Sequence, residues 1–216
     1  YFFIGGAEFS ARAEITGTAG MRIPLILPEV QAAILAGGQS RRMGQHKLFL
    51  DYRGNTFIAH LLIQLQQQVN EVVVAGAPVP RQLADLGVPV LEDAEPDLGP
   101  LGGVATALKH ASREWLLTAP CDNPVLPANF ATRLLHVARE QNVPLVYVRK
   151  AGKPQPLYAI VRRDLLGSLN AYLAGGERKV MPWYESVGAL ALDWDDAGVS
   201  FININTPEEY AAFLDL

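Results

Sequence analysis

The short stretch Val30-Gln-Ala-Ala-Ile-Leu35, apolar but for one glutamine, runs through Ala36 into the pair Gly37-Gly38. A hydrophobic run that stops at two glycines reads as a buried strand opening into a loop of bare backbone. Residues without a Cβ let the main chain turn sharply and approach a ligand closely. Gly44 adds a second flexible point, and Arg41, Arg42 and Lys47 surround the turn. Amide N–H groups and cations around one concavity suit a polyphosphate, because both stabilise anionic oxygens. The pattern lacks the Gly-Lys-Ser/Thr of a Walker loop, and its glycines are not spaced as in a dinucleotide fingerprint. A second stretch far downstream, Leu116-Leu-Thr-Ala-Pro-Cys-Asp122, is again apolar and ends in a carboxylate. The two are read as halves of one site.

Strands and helices are expected to alternate on either side of these stretches. The first strand spans 30–35. Thr56 is positioned to cap a helix running to about Val69, with the glutamines from 64 to 68 on its surface. Strands follow at 71–76, 88–93 and 114–119. A glycine-rich loop at 96–103 is expected to precede a helix over 104–110, and another helix is expected at 127–140. Strands at 144–148 and 157–161, a helix at 165–173, a short piece at 180–185 and a strand at 189–192 complete the middle of the chain. Phe201-Ile-Asn-Ile-Asn205 reads as a final strand with Asn203 and Asn205 on one face. Thr206-Pro-Glu-Glu209 has the form of a capping box, with proline at the first helical position. The alternation predicts an α/β three-layer sandwich with a mostly parallel sheet, and a ligand site beyond the carboxyl ends of its strands. Gly37, Asp93, Asp122 and Asn203 all fall at or just after such ends.

With 216 residues, half of them hydrophobic, the chain can bury a substantial core in one domain. That domain is expected over 30–216, and 1–29 reads as an N-terminal extension in which Met21 is a candidate natural start. A formal net charge of -4 argues against a general nucleic-acid binder, although a few cations can still converge on a nucleotide. Cys121 is the single cysteine, so an intramolecular disulfide and a thiolate zinc cluster are excluded, and a reducing, cytoplasmic setting is expected. The four histidines show no metal-ligand spacing, and no run is long enough to span a membrane.

Each candidate residue has a plain reading beside its chemical one. Lys47 is either a surface lysine or a flexible ammonium that contacts phosphate and offsets charge on a leaving pyrophosphate. Arg42 can act similarly or point to solvent. Asp122 is either a helix cap or a ligand for a hard cation such as Mg²⁺, which takes one or two carboxylates plus substrate phosphates. Asp93 is a turn residue or a contact to base, ribose or metal. Gly102, within Gly99-Pro-Leu-Gly-Gly103, lies in a plain loop or gives backbone access to a base. Lys153, in Arg149-Lys-Ala-Gly-Lys-Pro-Gln-Pro156, belongs to a solvated hairpin or a second anion site, and Arg178 and Lys179 pose the same choice. Cys121 reads as a packed small side chain rather than a nucleophile.

Taken together, these motifs resemble those of the molybdenum cofactor guanylyltransferase family. The resemblance rests on Leu35-Ala-Gly-Gly, Ser40-Arg-Arg-Met-Gly44, Lys47-Leu, Glu92-Asp93, Gly99 to Gly103, Pro120 to Pro124, Ala174 to Met181 and Phe201 to Glu209, and it covers the chain from about Val30 onward. It implies a Rossmann-like nucleotide-diphospho-sugar-transferase fold. The implied reaction joins GTP and molybdenum-bound molybdopterin into a guanine dinucleotide cofactor and pyrophosphate, with Mg²⁺. By this resemblance Leu35, Ala36, Gly37 and Gly38 contact the guanine nucleotide, Lys47 its phosphates and Asp122 the metal. Asp93 corresponds to a nucleotide-site acid, and Asn203 and Asn205 to paired active-site asparagines. Lys153, Arg178 and Lys179 would approach the pterin. The Gly-Gly pair favours guanylyl over cytidylyl transfer. His46 departs from the acid that the family commonly carries before its lysine. Transient contacts with molybdopterin-synthesis proteins and molybdoenzyme chaperones are implied as well, because a labile cofactor is safer handed over directly. Transfer to a sugar or polyol phosphate, cytidylyl transfer and non-catalytic nucleotide or cofactor carriage are the competing expectations.

Overall fold

The computed structural model describes residues 26–37, 47–76, 83, 86–93, 95, 97–196, 201 and 203–215. Its centre is β1 (Leu27–Leu35), buried from Val30 onward. On one side β1 pairs in parallel with β4 (Val69–Ala75), which pairs with the short β5 (Val90–Leu91). On the other side it pairs in parallel with β6 (Trp115–Pro120). The sheet continues through β8 (Lys153–Arg162) and β7 (Leu145–Lys150) to β9 (Leu190–Asp193), giving the order β5-β4-β1-β6-β8-β7-β9. Only β8 among these described strands runs against its neighbours, so the carboxyl ends of the others share one edge.

Helices cover both faces, as continuously apolar parallel strands require. α1 (Phe57–Gln66) and α3 (Phe130–Glu140) bury their apolar stripes against one face, beside Ile34, Val74 and Leu117. α2 (Pro100–His110), α4 (Leu166–Ala174) and α5 (Val180–Ser186) cover the other, over Leu35, Val73 and Leu116. A hairpin of β2 (Asp51–Tyr52) and β3 (Asn55–Thr56) packs with α6 (Pro207–Leu214) around Leu50, Phe57, Ile204 and Phe213. The three-layer α/β sandwich with a mostly parallel sheet is the expected one. None of the helices among the described residues is long and apolar enough to cross a membrane.

Several local expectations need correction. β1 starts at Leu27, whose N–H donates to Gln68 O at 2.9 Å. α1 ends at Gln66, and Val69 opens β4 instead of closing the helix. The glutamines of 64–68 are not all surface residues: Gln68 is buried, and the side chains of Gln64 and Gln68 bond to backbone beyond Asp122. The glycine-rich stretch at 99–103 is the start of α2 rather than a loop. Gly99 takes a left-handed φ of 64° at the N-cap and Pro100 sits in the first turn, so Gly102 and Gly103 are helical. Gly102 has to lack a side chain, because a Cβ there would come within 2.7 Å of Leu98 Cβ. The expected strand at 201–205 is also absent among its described residues: Phe201 and Ile204 are both buried, which breaks the alternation. Residues 1–25 lie outside the described residues.

Candidate active site

At the carboxyl edge, β1 runs directly into Ala36 and Gly37. Ala36 N donates to Ala75 O at 2.8 Å, and Cys121 N donates to Leu35 O at 3.2 Å, so the exits of β4, β1 and β6 are tied side by side. Gly76 closes this crossing. A Cβ there would stand 2.3 Å from Gly37 N, and its φ of 143° disfavours any side chain. Gly37 is exposed at the mouth of the edge, where its backbone is open to a ligand. Gly38, Arg41, Arg42 and His46 lie outside the described residues.

Lys47 re-enters the structure on a 3₁₀ turn, Lys47–Phe49, anchored by the fully buried Leu48. Its Nζ donates to Asn205 Oδ1 at 2.5 Å. Asn205 is held in turn by the start of α6. Its N–H donates to Glu209 Oε2 at 2.6 Å, and its Nδ2 donates to Asn203 O at 3.2 Å. The capping box predicted for Thr206 and Glu209 is present, with Pro207 in the first turn. Asn203 itself is exposed.

Asp122 lies two residues past the end of β6, and its carbonyl accepts from Ile204 N at 3.0 Å. That bond joins the 203–205 segment to the β6 exit without forming a strand. One carboxylate oxygen, Oδ1, is sealed from solvent with no hydrogen-bond partner among the described residues. Burial pushes the Asp122 carboxyl up to about 6, opposed first by the attraction of the Lys47 ammonium. The helix-cap reading fails, because α3 begins only at Phe130 behind Asn129. A buried acceptor with nothing to accept from is unusual and points to a missing partner. Among the described residues no group of three or more His, Cys, Asp or Glu could hold a metal ion. A single carboxylate nevertheless fits a cation of the Mg²⁺ type, which takes one or two protein carboxylates and completes its shell with water and substrate oxygens. The neighbouring Cys121 is buried and its thiol is pushed up to about 12, chiefly by burial, so it is a packing residue.

Asp93, two residues beyond β5, accepts from Thr106 Oγ1 at 2.8 Å through Oδ1. Its other oxygen faces α2, where a Cβ on Gly102 would come to 3.3 Å from Asp93 Oδ2. Thr106 and Gly76 are therefore part of the site although neither stood out in the sequence. Thr106 follows Gly102 by one helical turn, a relation visible only once 99–103 is known to be helix.

The basic residues are placed mainly by topology. β7 and β8 form a hairpin whose turn, at Ala151-Gly152, extends past the end of β6, and Lys153 is exposed on it. Arg149 is paired side-on with Asp193, at 2.5 Å for both nitrogen–oxygen contacts. Because β8 is reversed, α4 returns the chain to the carboxyl edge, and the loop carrying Arg178 and Lys179 lies there. Arg178 Nη1 donates to Leu173 O at 2.8 Å and so covers the end of α4, while Lys179 is exposed.

Comparison with known proteins agrees with this arrangement. Residues 32–187 match the model of the MobA-like NTP transferase domain. A molybdenum cofactor guanylyltransferase of Shewanella frigidimarina is 35% identical over 184 residues, spanning 84% of this chain and 94% of the relative. The enzyme of the same name from Shewanella loihica is 33% identical over 184 residues, with 84% and 94% of the two chains covered. The crystal structure of molybdopterin-guanine dinucleotide biosynthesis protein A from Archaeoglobus fulgidus superposes with a TM-score of 0.73 at 21% identity. That match covers 86% of this chain and 97% of that one, and it extends the likeness to the fold.

Proposed function

This chain belongs to the family of MobA-like NTP transferases, and from that premise we propose that it transfers GMP from GTP to molybdenum-bound molybdopterin. The products are the guanine dinucleotide form of the cofactor and pyrophosphate. The observation that carries the assignment into chemistry is the orphaned, buried Asp122 Oδ1 near the Lys47 ammonium, at the strand edge that opens onto Gly37.

The acceptor is a phosphate that is already ionised at neutral pH, so the reaction needs no strong base. One of its oxygens attacks the α-phosphorus of GTP. The bond from that phosphorus to the bridging oxygen breaks, and its electron pair leaves with pyrophosphate. The protein has to bring two anions together in line and offset the charge that develops on the leaving group. The backbone of Ala36 and Gly37 offers the close approach that a nucleotide requires, with Leu35 as its buried support. Gly38 and Arg42 are assigned to the same anion cradle. Asp93, set by Thr106, is assigned to the nucleoside, next to the helical Gly102. Lys47, aimed by Asn205, contacts the phosphates. Asp122 is the residue that would hold Mg²⁺, which when bound would neutralise phosphate oxygens and orient them. Asn203 is assigned to support of the site, and Lys153, Arg178 and Lys179 to the pterin.

The test is pyrophosphate release by the purified protein given molybdenum-loaded molybdopterin with either Mg-GTP or Mg-CTP. Release with GTP and little with CTP is expected. Release with CTP alone would make the chain a cytidylyltransferase, and silence with both would refute the proposal.

A further inference from the structure

Asp122 is followed by a segment that cannot form regular structure on its own. Pro124 and Pro127 lack N–H groups, and the carbonyls around them need donors from elsewhere. Two glutamines supply them. Gln64 Nε2 donates to Pro124 O at 2.7 Å while its Oε1 accepts from Leu126 N at 2.8 Å. Gln68 Nε2 donates to Pro127 O at 3.0 Å while its Oε1 accepts from Ala131 N at 2.8 Å. Each amide thus engages backbone donor and acceptor at once, which no aliphatic side chain could do and no carboxylate could do unaided. Both are also tied to their own segment, through His60 O at 2.8 Å and Gln64 O at 3.3 Å. Gln66 and Gln67, between them, are exposed.

These contacts fall on one stretch, from two residues past Asp122 to the first turn of α3. Upstream, Asp122 is located by β6 and the bond from Cys121 N to Leu35 O. Downstream, Val125 N donates to Asn123 Oδ1 at 3.0 Å, and the glutamines take over from there. We infer that Gln64 and Gln68 are positioning residues for Asp122, holding the backbone that follows it so that its carboxylate stays at the nucleotide edge. The inference rests on the role proposed for Asp122 above.

Gln64→Met and Gln68→Met keep the stem and remove the amide. Gln31→Met is the control, because Gln31 is as buried as Gln68 and accepts from Ser112 N at 2.9 Å, away from the carboxyl edge. All three variants should lose stability. Only the Gln64 and Gln68 variants should lose about tenfold or more in kcat with KM for GTP within about twofold, the loss typical when a supporting hydrogen bond behind a metal-site residue is removed. In those two, Mn²⁺ binding to the GTP-loaded protein without acceptor should weaken by a similar factor, and the Leu126 and Ala131 amides should exchange faster. Gln64 is only half buried, so its variant carries the test should the Gln68 variant not fold. Gln64→Met with the kcat and Mn²⁺ affinity of Gln31→Met would overturn the inference while leaving guanylyl transfer intact. A wild type that transfers no GMP would overturn the functional reading, and the inference would then stand or fall on Mn²⁺ binding. A wild type that also binds no Mn²⁺ would overturn both.

Discussion

Lys47 and Asn205, 158 residues apart in sequence, meet at 2.5 Å between Nζ and Oδ1. The bond joins the end of the glycine-rich loop to the turn that starts the last helix, and Glu209 braces that turn by accepting from both Asn205 N and Thr206 N. The Lys47 ammonium is therefore aimed by the C-terminal segment. The acid near it, Asp122, is tied to the same segment through Ile204.

Lys47→Ala should raise the GTP concentration needed for half-maximal rate and slow transfer as well, with kcat/KM for GTP falling about a hundredfold, as expected for a charge that stabilises a leaving pyrophosphate. Asn205→Ala should show a milder loss of the same kind, since the lysine remains but is no longer aimed. Steady-state kinetics on the folded variants checks this. Unchanged kinetics for Lys47→Ala would remove the lysine from the mechanism.

Asp122→Asn should abolish transfer and stabilise the nucleotide-free protein at pH 7 by about 1–2 kcal/mol, because the amide has no charge to desolvate. The sign follows from the raised carboxyl, at about 6 in the folded state against 3.8 for the ordinary group. Between those values the folded protein binds the extra proton, so this residue's contribution to stability grows as pH falls from 7 toward 4. It is lost as pH rises through about 6. Chemical denaturation of wild type and variant at pH 7 and pH 4.5, without nucleotide or divalent cation, checks it. The gap between the two should shrink at the lower pH.

Gly76→Ala should destabilise the fold by about 2–4 kcal/mol, because the new methyl would overlap the backbone at Gly37 and the residue has a positive φ. The folded fraction should also bind GTP more weakly, since the clash falls on the turn assigned to the nucleotide. Thermal unfolding and GTP titration measure the two effects. Gly54→Ala, at a turn with open space around its Cα, should leave GTP affinity unchanged.

Much of this architecture is legible in the sequence because its signals are local. The apolar runs ending at Leu35 and Pro120 mark the two central strands, and Thr206-Pro-Glu-Glu209 declares its capping box outright. Gly37 and Asp122 stand at the predicted strand exits for the same reason. What is not legible depends on partners distant in the chain. The glycines of 99–103 look like a loop until the positive φ of Gly99 at the N-cap and the closeness of Leu98 to Gly102 explain them. The Phe201–Asn205 stretch has strand-like alternation, yet Phe201 and Ile204 are both buried, in different clusters. Gln64 and Gln68 carry ordinary helix-surface composition, and only the proline-rich segment opposite them reveals their use.

Whether the nucleotide moves as GMP is read by following its phosphorus. With molybdenum-loaded molybdopterin and divalent cation, label at the α-phosphate of GTP should appear in the pterin product, while label at the γ-phosphate should leave in pyrophosphate. Substituting α-labelled CTP should give little product, and Asp122→Asn should give none. Label that stays with free nucleotide, or that enters the product from the γ-position, would contradict the account.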